Sequence, residues 1–410
     1  MSSSFEANLA KLANLSVQTG VGLLPGQELI ISGDIAFAPF VRLLQESAYK
    51  LGAKNVFVQY SDEQGTLIRY RNGNPEAIGY SAGWFHEAVA GMLEGGGAYL
   101  SITGGNPGLL KEVDPSLVAA SSKAHAQAAK KLSNVIMEAK ANWCGVPYAT
   151  PAWAKLVFPE VSESEAIAKL WDAIFATTRV TEEDPIAAWD AHCSELERRS
   201  AYLNERQFHS LRFTGPGTDL TVGLADGHLW CSARLRADNG AVCIPNMPTE
   251  EVFTMPHRNR VNGVVRSTKP LSMRGTVLDG IEVEFENGKV VKAKAAKGEE
   301  QLLRLIDTDA GARFLGEVAL VPNSSAVSQT NLMYFNTLFD ENAASHIALG
   351  QAYAETLEGC SELTDEEKRG QGMNESLIHV DWMIGSGETD VDGVAADGTT
   401  EPLMRAGEWV

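Results

Sequence analysis

The sequence has few of the features that mark secreted, disulfide-bonded or membrane proteins. It contains only five cysteines in 410 residues, and no two of them form a CxxC pair. An odd number of scattered cysteines argues against a disulfide framework or a zinc ribbon, so we expect a cytoplasmic protein. The N-terminus has no basic region followed by an apolar segment, and no apolar run approaches the roughly 18 residues of a membrane span. We therefore predict neither a secretory signal nor a membrane partner.

Basic residues are also scarce relative to acidic ones. Lys and Arg together number 34 against 53 Asp and Glu, which gives a formal net charge of −19. A protein with this balance is repelled by nucleic acid and by anionic membrane surfaces, so we expect neither as a partner. An acidic protein can attract metal ions, although most acidic side chains simply interact with water.

The first half of the chain alternates between short apolar stretches and helical patterns. The stretches ELIISG, NVFVQY, AYLSIT and WCGVPYAT are typical of buried strands in a parallel sheet with helices on both faces. They predict an N-terminal Rossmann-like α/β domain over residues 1–200. Nucleotide binding is not indicated, because no GxGxxG follows the first strand and TGGNPG (103–108) lacks the Lys of a phosphate-binding loop. We interpret TGGNPG as a turn.

Two helices precede a change in the sequence pattern. Ser162 begins one helix as part of an S-x-x-E capping box, and Asp184-Pro185 begins the next. From about residue 209 apolar and polar residues alternate, as in IEVEFENGKVVKAKA, whose Asn-Gly pair (287–288) is typical of a type I′ hairpin. We predict a C-terminal, mainly antiparallel β-rich α+β domain over residues 201–410, and expect it to carry the functional site.

Carboxylates stand out in two segments of this second domain. In NMPTEEVFTMP (246–256), prolines flank Glu250 and Glu251, so the segment is expected to be extended and well fixed. In GARFLGEVALVP (311–322), Glu317 lies in an apolar strand, where a carboxylate is costly unless it is paired or binds a metal. Each segment also has a plainer interpretation. The first would be a surface loop with two solvated Glu, and the second a strand end whose Glu reaches solvent.

A third segment, NTLFDENAASHIALG (336–350), combines carboxylates with a histidine. We interpret Asp340 as the N-cap of a helix. On that helix Glu341 and His346 would be five residues apart, which prevents side-by-side chelation but would let them flank two neighbouring ions. By itself, His346 is typical of a hydrogen-bonded core histidine. Tyr353 would share a face with His346 if the helix continued past Gly350.

A fourth segment, SLIHVDWMIGS (376–386), places His379 and Asp381 two residues apart in a strand-like run. Both side chains then leave one face of the strand and can act as a two-ligand arm for a metal. The four segments together supply the candidate metal ligands Glu251, Glu317, Glu341, His346, His379 and Asp381. A set dominated by carboxylates with a minority of imidazoles suits two divalent ions with a bridging carboxylate better than a single zinc.

The order of these segments, completed by GEW near the C-terminus, resembles the aminopeptidase T / aminopeptidase S family of metallopeptidases. The resemblance runs from Asn246 to Trp409 and rests on NMPTEEVFT, GEVALV, LFDENAASHIALGQAY and HVDWMIGS. It implies that two divalent cations are held by Glu251 (rather than Glu250), Glu317, His346, His379 and Asp381, with Glu317 bridging them. It further implies that Glu341 is a metal-site or acid/base carboxylate and that Tyr353 is an active-site hydroxyl.

The resemblance implies a broad-specificity aminopeptidase that acts on peptides through a metal-activated water, with Glu317, Glu341 and Tyr353 as catalytic residues. It also implies two zinc, cobalt or manganese ions per subunit and a homodimer. Two other functions are compatible with the sequence. A two-metal phosphoesterase would need basic residues to bind phosphate, yet only Lys368 and Arg369 lie between residues 331 and 382. A non-catalytic binding protein would use the N-terminal α/β domain.

Overall fold

Residues 3–273 and 276–410 are described by the computed structural model, and they fall into two structural units. The first unit comprises Met1–His192 and Arg234–Pro248, and the second comprises Cys193–Ala233 and Thr249–Val410. Within the described ranges, no helix is both long enough and apolar enough to cross a membrane.

A parallel sheet forms the centre of the first unit. Its strands are β1 (Glu28–Asp34), β2 (Asn55–Ser61), β3 (Ala98–Thr103) and β4 (Trp143–Pro147), in the order β2-β1-β3-β4 with every neighbouring pair parallel. Leu29, Ile31, Leu100 and Val146 on these strands are fully buried. Burial of this kind is expected where helices cover both faces of a sheet. The predicted parallel α/β arrangement is confirmed.

Nine helices lie between residues 3 and 206 of the described chain, and two of them have predicted starts. They are α1 (Ser3–Leu15), α2 (Ala38–Lys50), α3 (Glu63–Asn72), α4 (Pro75–Ile78), α5 (Gly83–Glu94), α6 (Pro115–Met137), α7 (Pro151–Val157), α8 (Glu163–Thr177) and α9 (Pro185–Arg206). The Ser162 hydroxyl accepts a hydrogen bond from the Glu165 N–H at the start of α8. The Asp184 carboxylate accepts hydrogen bonds from the first N–H groups of α9. Both predicted helix starts are confirmed.

Antiparallel strands dominate the second unit. The strands that follow β4 along the chain are β5 (Ser210–Gly215), β6 (Thr218–Leu224), β7 (Leu235–Arg236), β8 (Val242–Cys243), β9 (Val252–Thr254), β10 (Pro256–Arg266), β11 (Leu271–Met273), β12 (Thr276–Leu278), β13 (Glu282–Glu286), β14 (Lys289–Lys294), β15 (Leu315–Leu320), β16 (His346–Gly350), β17 (His379–Met383), β18 (Asp390–Val394), β19 (Thr400–Arg405) and β20 (Glu408–Trp409). Of these, β7 and β8 pair within the first unit. The short helices are α10 (Glu299–Ile306), α11 (Ala326–Gln329), α12 (Thr337–Asp340) and α13 (Asp365–Gly370).

Two antiparallel sheets carry most of the second unit. The larger has the order β14-β13-β10-β6-β5-β18-β19-β20, and the smaller has the order β17-β16-β15-β9. In the β13–β14 hairpin, Asn287 and Gly288 both have positive φ, of 48° and 82°. Positive φ at both central residues is the requirement of a type I′ turn, so this predicted hairpin is confirmed.

The predicted helix at Asp340 is wrong. α12 ends at Asp340, a 3-10 turn follows at Glu341–Ala343, and His346 opens the strand β16. The run HIALG is buried throughout. A short apolar run of this kind fits a buried strand as well as a buried helix, so periodicity alone cannot separate them. Tyr353 therefore lies in the loop after β16, and not on a helix that continues past Gly350.

Asp340 is not an N-cap either. Asn336 caps α12, and its side chain accepts a hydrogen bond from the Leu338 N–H. The Asp340 carboxylate instead accepts hydrogen bonds from the N–H groups of Tyr334 and Asn336, at 2.7 and 3.0 Å. Asp340, the last residue of α12, thus stabilises the turn that precedes this helix. This role depends on the folded path of residues 334–340.

Candidate metal centre

The smaller sheet brings the predicted ligands to one surface through its strand register. Asp381 on β17, Ala348 on β16 and Glu317 on β15 lie directly opposite one another. Residues opposite one another in an antiparallel sheet share a face. His346 and His379 join this face, because each lies two residues from a member of the row. Ala348 is fully buried, and its small side chain leaves room for the carboxylates on either side.

Glu251 reaches the same surface from the segment that precedes β9. It lies two residues before Phe253, which pairs with Ala319 on β15, and Ala319 shares the face of Glu317. The adjacent Glu250 instead uses its backbone N–H to donate a hydrogen bond of 2.7 Å to the Asn342 side chain. The structure therefore brings Glu251 into the cluster, whereas the sequence spacing had left the choice between the two glutamates open.

The candidate ligands form two groups that share Glu317. In the first group, Nε2 of His346 lies 3.0 Å from Oε2 of Glu251 and 3.3 Å from Oε1 of Glu317. In the second, Nε2 of His379 lies 3.6 Å from Oε2 of Glu317 and 3.3 Å from Oδ1 of Asp381. Within each group the potential ligand atoms all lie within 4.8 Å of one another. The two carboxylate oxygens of Glu317 thus face different groups.

Both histidines are oriented by their other ring nitrogen. Nδ1 of His346 is 3.1 Å from the backbone oxygen of Ala344, and Nδ1 of His379 is 2.7 Å from the backbone oxygen of Gln351. Because these carbonyls only accept, each Nδ1 carries the proton in the neutral ring. The lone pair of each Nε2 then points at the carboxylates, which is the arrangement typical of metal-binding histidine.

Two buried carboxylate oxygens have no hydrogen-bond donor among the residues that the structure describes. They are Oε2 of Glu251 and Oδ1 of Asp381, and the residues that carry them are only 8% and 7% exposed. Nε2 of His346 lies near the first oxygen and Nε2 of His379 near the second, but in the neutral rings both Nε2 atoms lack a proton to donate. Buried anionic oxygens without donors are costly unless a cation binds them. The residues therefore fit a metal centre.

The ionisable groups of the cluster influence one another strongly. Burial raises the pKa of Glu317, and the nearby Asp381 and Glu251 carboxylates add to this effect. Burial alone would lower the pKa of His379, but Asp381 and Glu317 outweigh it and raise that pKa to about 10. The pKa of His346 is likewise raised well above its usual value, because Glu251 and Glu317 outweigh burial. The cluster therefore attracts positive charge, whether protons or metal ions.

Glu341 and Tyr353 lie beside the two ligand groups. Glu341 is in neither group, but its charge interacts with Asp381 and Glu251, and burial is the main cause that raises its pKa well above the usual value. The Tyr353 ring centroid is 4.6 Å from that of His379. Burial, then the charge of Glu317, raise the pKa of the Tyr353 hydroxyl, which therefore stays protonated. The structure thus places one carboxylate and one hydroxyl next to the candidate ligands.

Asn342 is a residue of the site that sequence reasoning missed. It is fully buried, and its side-chain oxygen accepts a hydrogen bond from the Glu250 N–H. Its side-chain nitrogen donates a hydrogen bond of 3.0 Å to the backbone oxygen of Leu338. It therefore fastens the segment that carries Glu251 to the turn that carries Glu341. Its position directly after Glu341 is the only signal in the sequence, and that signal does not identify its partners.

The chain matches the family described as thermophilic metalloprotease (M29) over residues 5–409. The chain belongs to the M29 metalloprotease family. Aminopeptidase T of Thermus thermophilus is 51% identical to this M29 chain over 407 residues, which cover 99% of each chain. Aminopeptidase 2 of Geobacillus stearothermophilus is 46% identical over 405 residues, which cover 99% of this chain and 98% of the relative.

A solved structure shows that the likeness extends to the fold. Wild-type AmpT from Thermus thermophilus matches this M29 chain with a TM-score of 0.94 at 50% sequence identity, covering 99% of this chain and 100% of the other. The predicted family, mixed α/β fold and hydrolase class are confirmed. The aminopeptidase names of the relatives favour the predicted metal-dependent aminopeptidase over the phosphoesterase and the non-catalytic alternative. The ligand set and the number of ions stay predictions.

Proposed function

We propose that this protein is a metal-dependent aminopeptidase that uses two divalent cations to release N-terminal amino acids from peptides. Glu251, Glu317, His346, His379 and Asp381 would hold the cations, and Glu317 belongs to both ligand groups. The observation that carries the proposal is the orientation of the Glu317 carboxylate, whose Oε1 faces one ligand group and whose Oε2 faces the other. A carboxylate placed in this way is suited to bridge two ions.

The charge of the cluster also suits two divalent ions. Glu251, Glu317, Glu341 and Asp381 carry four negative charges when ionised, and two divalent cations carry four positive charges. The mixture of carboxylate and imidazole ligands fits zinc, cobalt or manganese. When bound, such ions polarise the carbonyl of the first peptide bond and make water a stronger nucleophile near neutral pH.

The protein's own groups have distinct tasks in the reaction. Both oxygens of Glu317 face ligand groups, whereas Glu341 lies outside both groups and is free to exchange protons. Glu341 takes a proton from the attacking water and passes it to the nitrogen of the leaving peptide as the C–N bond breaks. The Tyr353 hydroxyl, which stays protonated, donates a hydrogen bond to the carbonyl oxygen as negative charge develops on it.

The remaining properties are inferred from the sequence pattern and from the family resemblance. We assign the catalytic role to the C-terminal domain, residues 201–410, and expect broad specificity for the N-terminal residue, a cytoplasmic location and a homodimer. The phosphoesterase alternative is weaker because Arg369 already pairs with Glu375 at 3.3 Å, and both of these side chains are exposed. No observation on the described residues favours a phosphate substrate.

Removal and replacement of the metal test this proposal. Treatment with a chelator should abolish the release of p-nitroaniline from leucine p-nitroanilide, and added zinc, cobalt or manganese should restore it. Metal analysis should give two ions per chain, and Glu317→Gln should reduce both the metal content and the turnover. Glu362→Gln, which changes an exposed carboxylate, should behave like the original protein. Near-normal turnover of Glu317→Gln would show that the two-metal assignment is wrong.

A further inference from the structure

Glu355 is a half-buried carboxylate beside the candidate metal centre that the reaction described above does not use. It lies in the 3-10 turn Ala354–Thr356, which follows Tyr353 directly. The Tyr353 ring packs 4.6 Å from the ring of His379, and the backbone oxygen of Glu355 lies 3.5 Å from Sγ of Cys231. Burial, then the charges of Glu355 and Glu317, raise the pKa of the Cys231 thiol. Cys231 pairs in turn with Phe253, two residues after Glu251, so the turn that carries Glu355 borders the candidate centre.

The turn that carries Glu355 is held from two sides. The Thr356 hydroxyl donates a hydrogen bond of 2.7 Å to the backbone oxygen of Tyr353. The Leu229 N–H donates a hydrogen bond of 2.8 Å to the backbone oxygen of Thr356. Thr356 is almost completely buried. A side chain on a turn fixed in this way keeps its position relative to the metal ligands, as a group that binds substrate must.

Among the residues that the structure describes, no opposite charge lies beside the Glu355 carboxylate. Among residues 3–273 and 276–410, no ion pair or hydrogen bond to this side chain is present, and neither kind of interaction lowers its pKa. Burial, followed by the negative charge of Glu317, raises that pKa to about 7. A partly buried carboxylate with a like charge nearby is stabilised by a cationic ligand.

The chemistry of an aminopeptidase supplies such a cation. The free α-ammonium group of the substrate is attached to the same carbon as the carbonyl that is attacked, so its binding group must border the reaction centre. Glu251, Glu317 and Asp381 are assigned to the metals, and Glu341 is assigned to proton transfer. We propose that Glu355 binds the α-ammonium group of the peptide substrate, an assignment that rests on the aminopeptidase function proposed above.

A comparison of two ligands isolates this interaction. L-leucinol carries the amine, and 4-methylpentan-1-ol is the same molecule without it. Their dissociation constants for the metal-loaded protein should be measured by calorimetry, with the original protein and with Glu355→Gln. A hydrogen bond to a charged group changes affinity by about 10- to 100-fold. We expect Glu355→Gln to weaken the binding of L-leucinol by about that factor and to leave the affinity for 4-methylpentan-1-ol unchanged.

Glu358→Gln provides the matched control, because Glu358 is exposed in the same segment and its loss removes the same charge. Metal content and melting temperature should be equal in all three proteins. If Glu355→Gln lowers the affinity for both ligands equally or contains less metal, Glu355 does not bind the ammonium group. If Glu355→Gln lowers the turnover of lysine p-nitroanilide but not that of leucine p-nitroanilide, Glu355 binds the ammonium group of the substrate side chain. That result would overturn the proposal.

The failure of this inference can be distinguished from the failure of the proposed function. If the metal-loaded original protein releases no N-terminal amino acid, the aminopeptidase proposal fails whatever the ligand pair shows. If it is active but the preference for L-leucinol is the same in Glu355→Gln, only the assignment of Glu355 fails. Glu355→Asp keeps the charge and should keep part of the preference for L-leucinol, which separates the loss of charge from a change in packing.

Discussion

Replacement of Asn342 by Ala should weaken both the fold and the metal centre. Its side chain is the partner of the Glu250 N–H and of the Leu338 oxygen, both in buried residues. The Ala variant leaves both groups without that partner, and each unsatisfied buried group costs about 1–3 kcal/mol. We expect a total loss of about 3 kcal/mol. For a unit of this size such a loss lowers Tm by about 6–12 °C.

The same substitution should lower metal affinity, although Asn342 is not a candidate ligand. The Glu250 N–H is fixed by Asn342, and Glu250 precedes Glu251 directly, so release of this bond frees the ligand to move. Loss of a residue that orients a ligand typically costs about 10- to 100-fold in metal affinity. Metal affinity can be measured by competition with a chromogenic chelator, and stability by thermal denaturation followed by circular dichroism.

Asn134→Ala is the control for this prediction. Asn134 is exposed on α6, and its replacement removes an amide of the same size from the surface. We expect the control to melt within about 1 °C of the original protein. If Asn342→Ala also melts within about 1 °C of the original protein and binds metal with unchanged affinity, the argument that this amide fixes the ligand segment is refuted.

Two other perturbations test separate parts of the site. Tyr353→Phe should lower kcat by about 10- to 100-fold with metal content unchanged, because it removes a hydrogen-bond donor to the developing oxyanion; an unchanged kcat would exclude that role. In chelated protein, the raised pKa of His379 contributes stability that is complete below about pH 6.5 and is lost as the pH rises through about 10. Tm of the chelated protein should therefore fall from pH 6 to pH 10, and His379→Gln should reduce this fall; an equal fall in both proteins would contradict the assignment.

The parts of the site that lie on regular strands could be predicted from the sequence. Glu317 in an apolar run and His379 with Asp381 at a spacing of two both follow from the alternation of side chains along a strand. The structure has them on β15 and β17, on one face of the smaller sheet. Local periodicity was sufficient there because each segment is short, regular and bounded by turns.

The parts that depend on tertiary structure could not be predicted in the same way. His346 opens a strand that is buried throughout, and such a run has no period that separates it from a helix. The spacing of Glu250 and Glu251 does not distinguish them either. The pairing of Phe253 with Ala319 and the approach of His346 to Oε2 of Glu251 establish which carboxylate reaches the cluster.

The strand register explains why metal binding and the fold of the second unit depend on each other. The candidate ligands come from segments that are far apart in sequence and meet only when β9, β15, β16 and β17 pair in the observed register. A slip of one residue on any of these strands would turn its ligand to the opposite face of the sheet. Ions that bind only the correctly paired sheet stabilise that register by mass action, because the unfolded chain offers no comparable site. The buried negative charge that makes the metal-free centre costly is therefore the same feature that lets the bound metals stabilise the sheet.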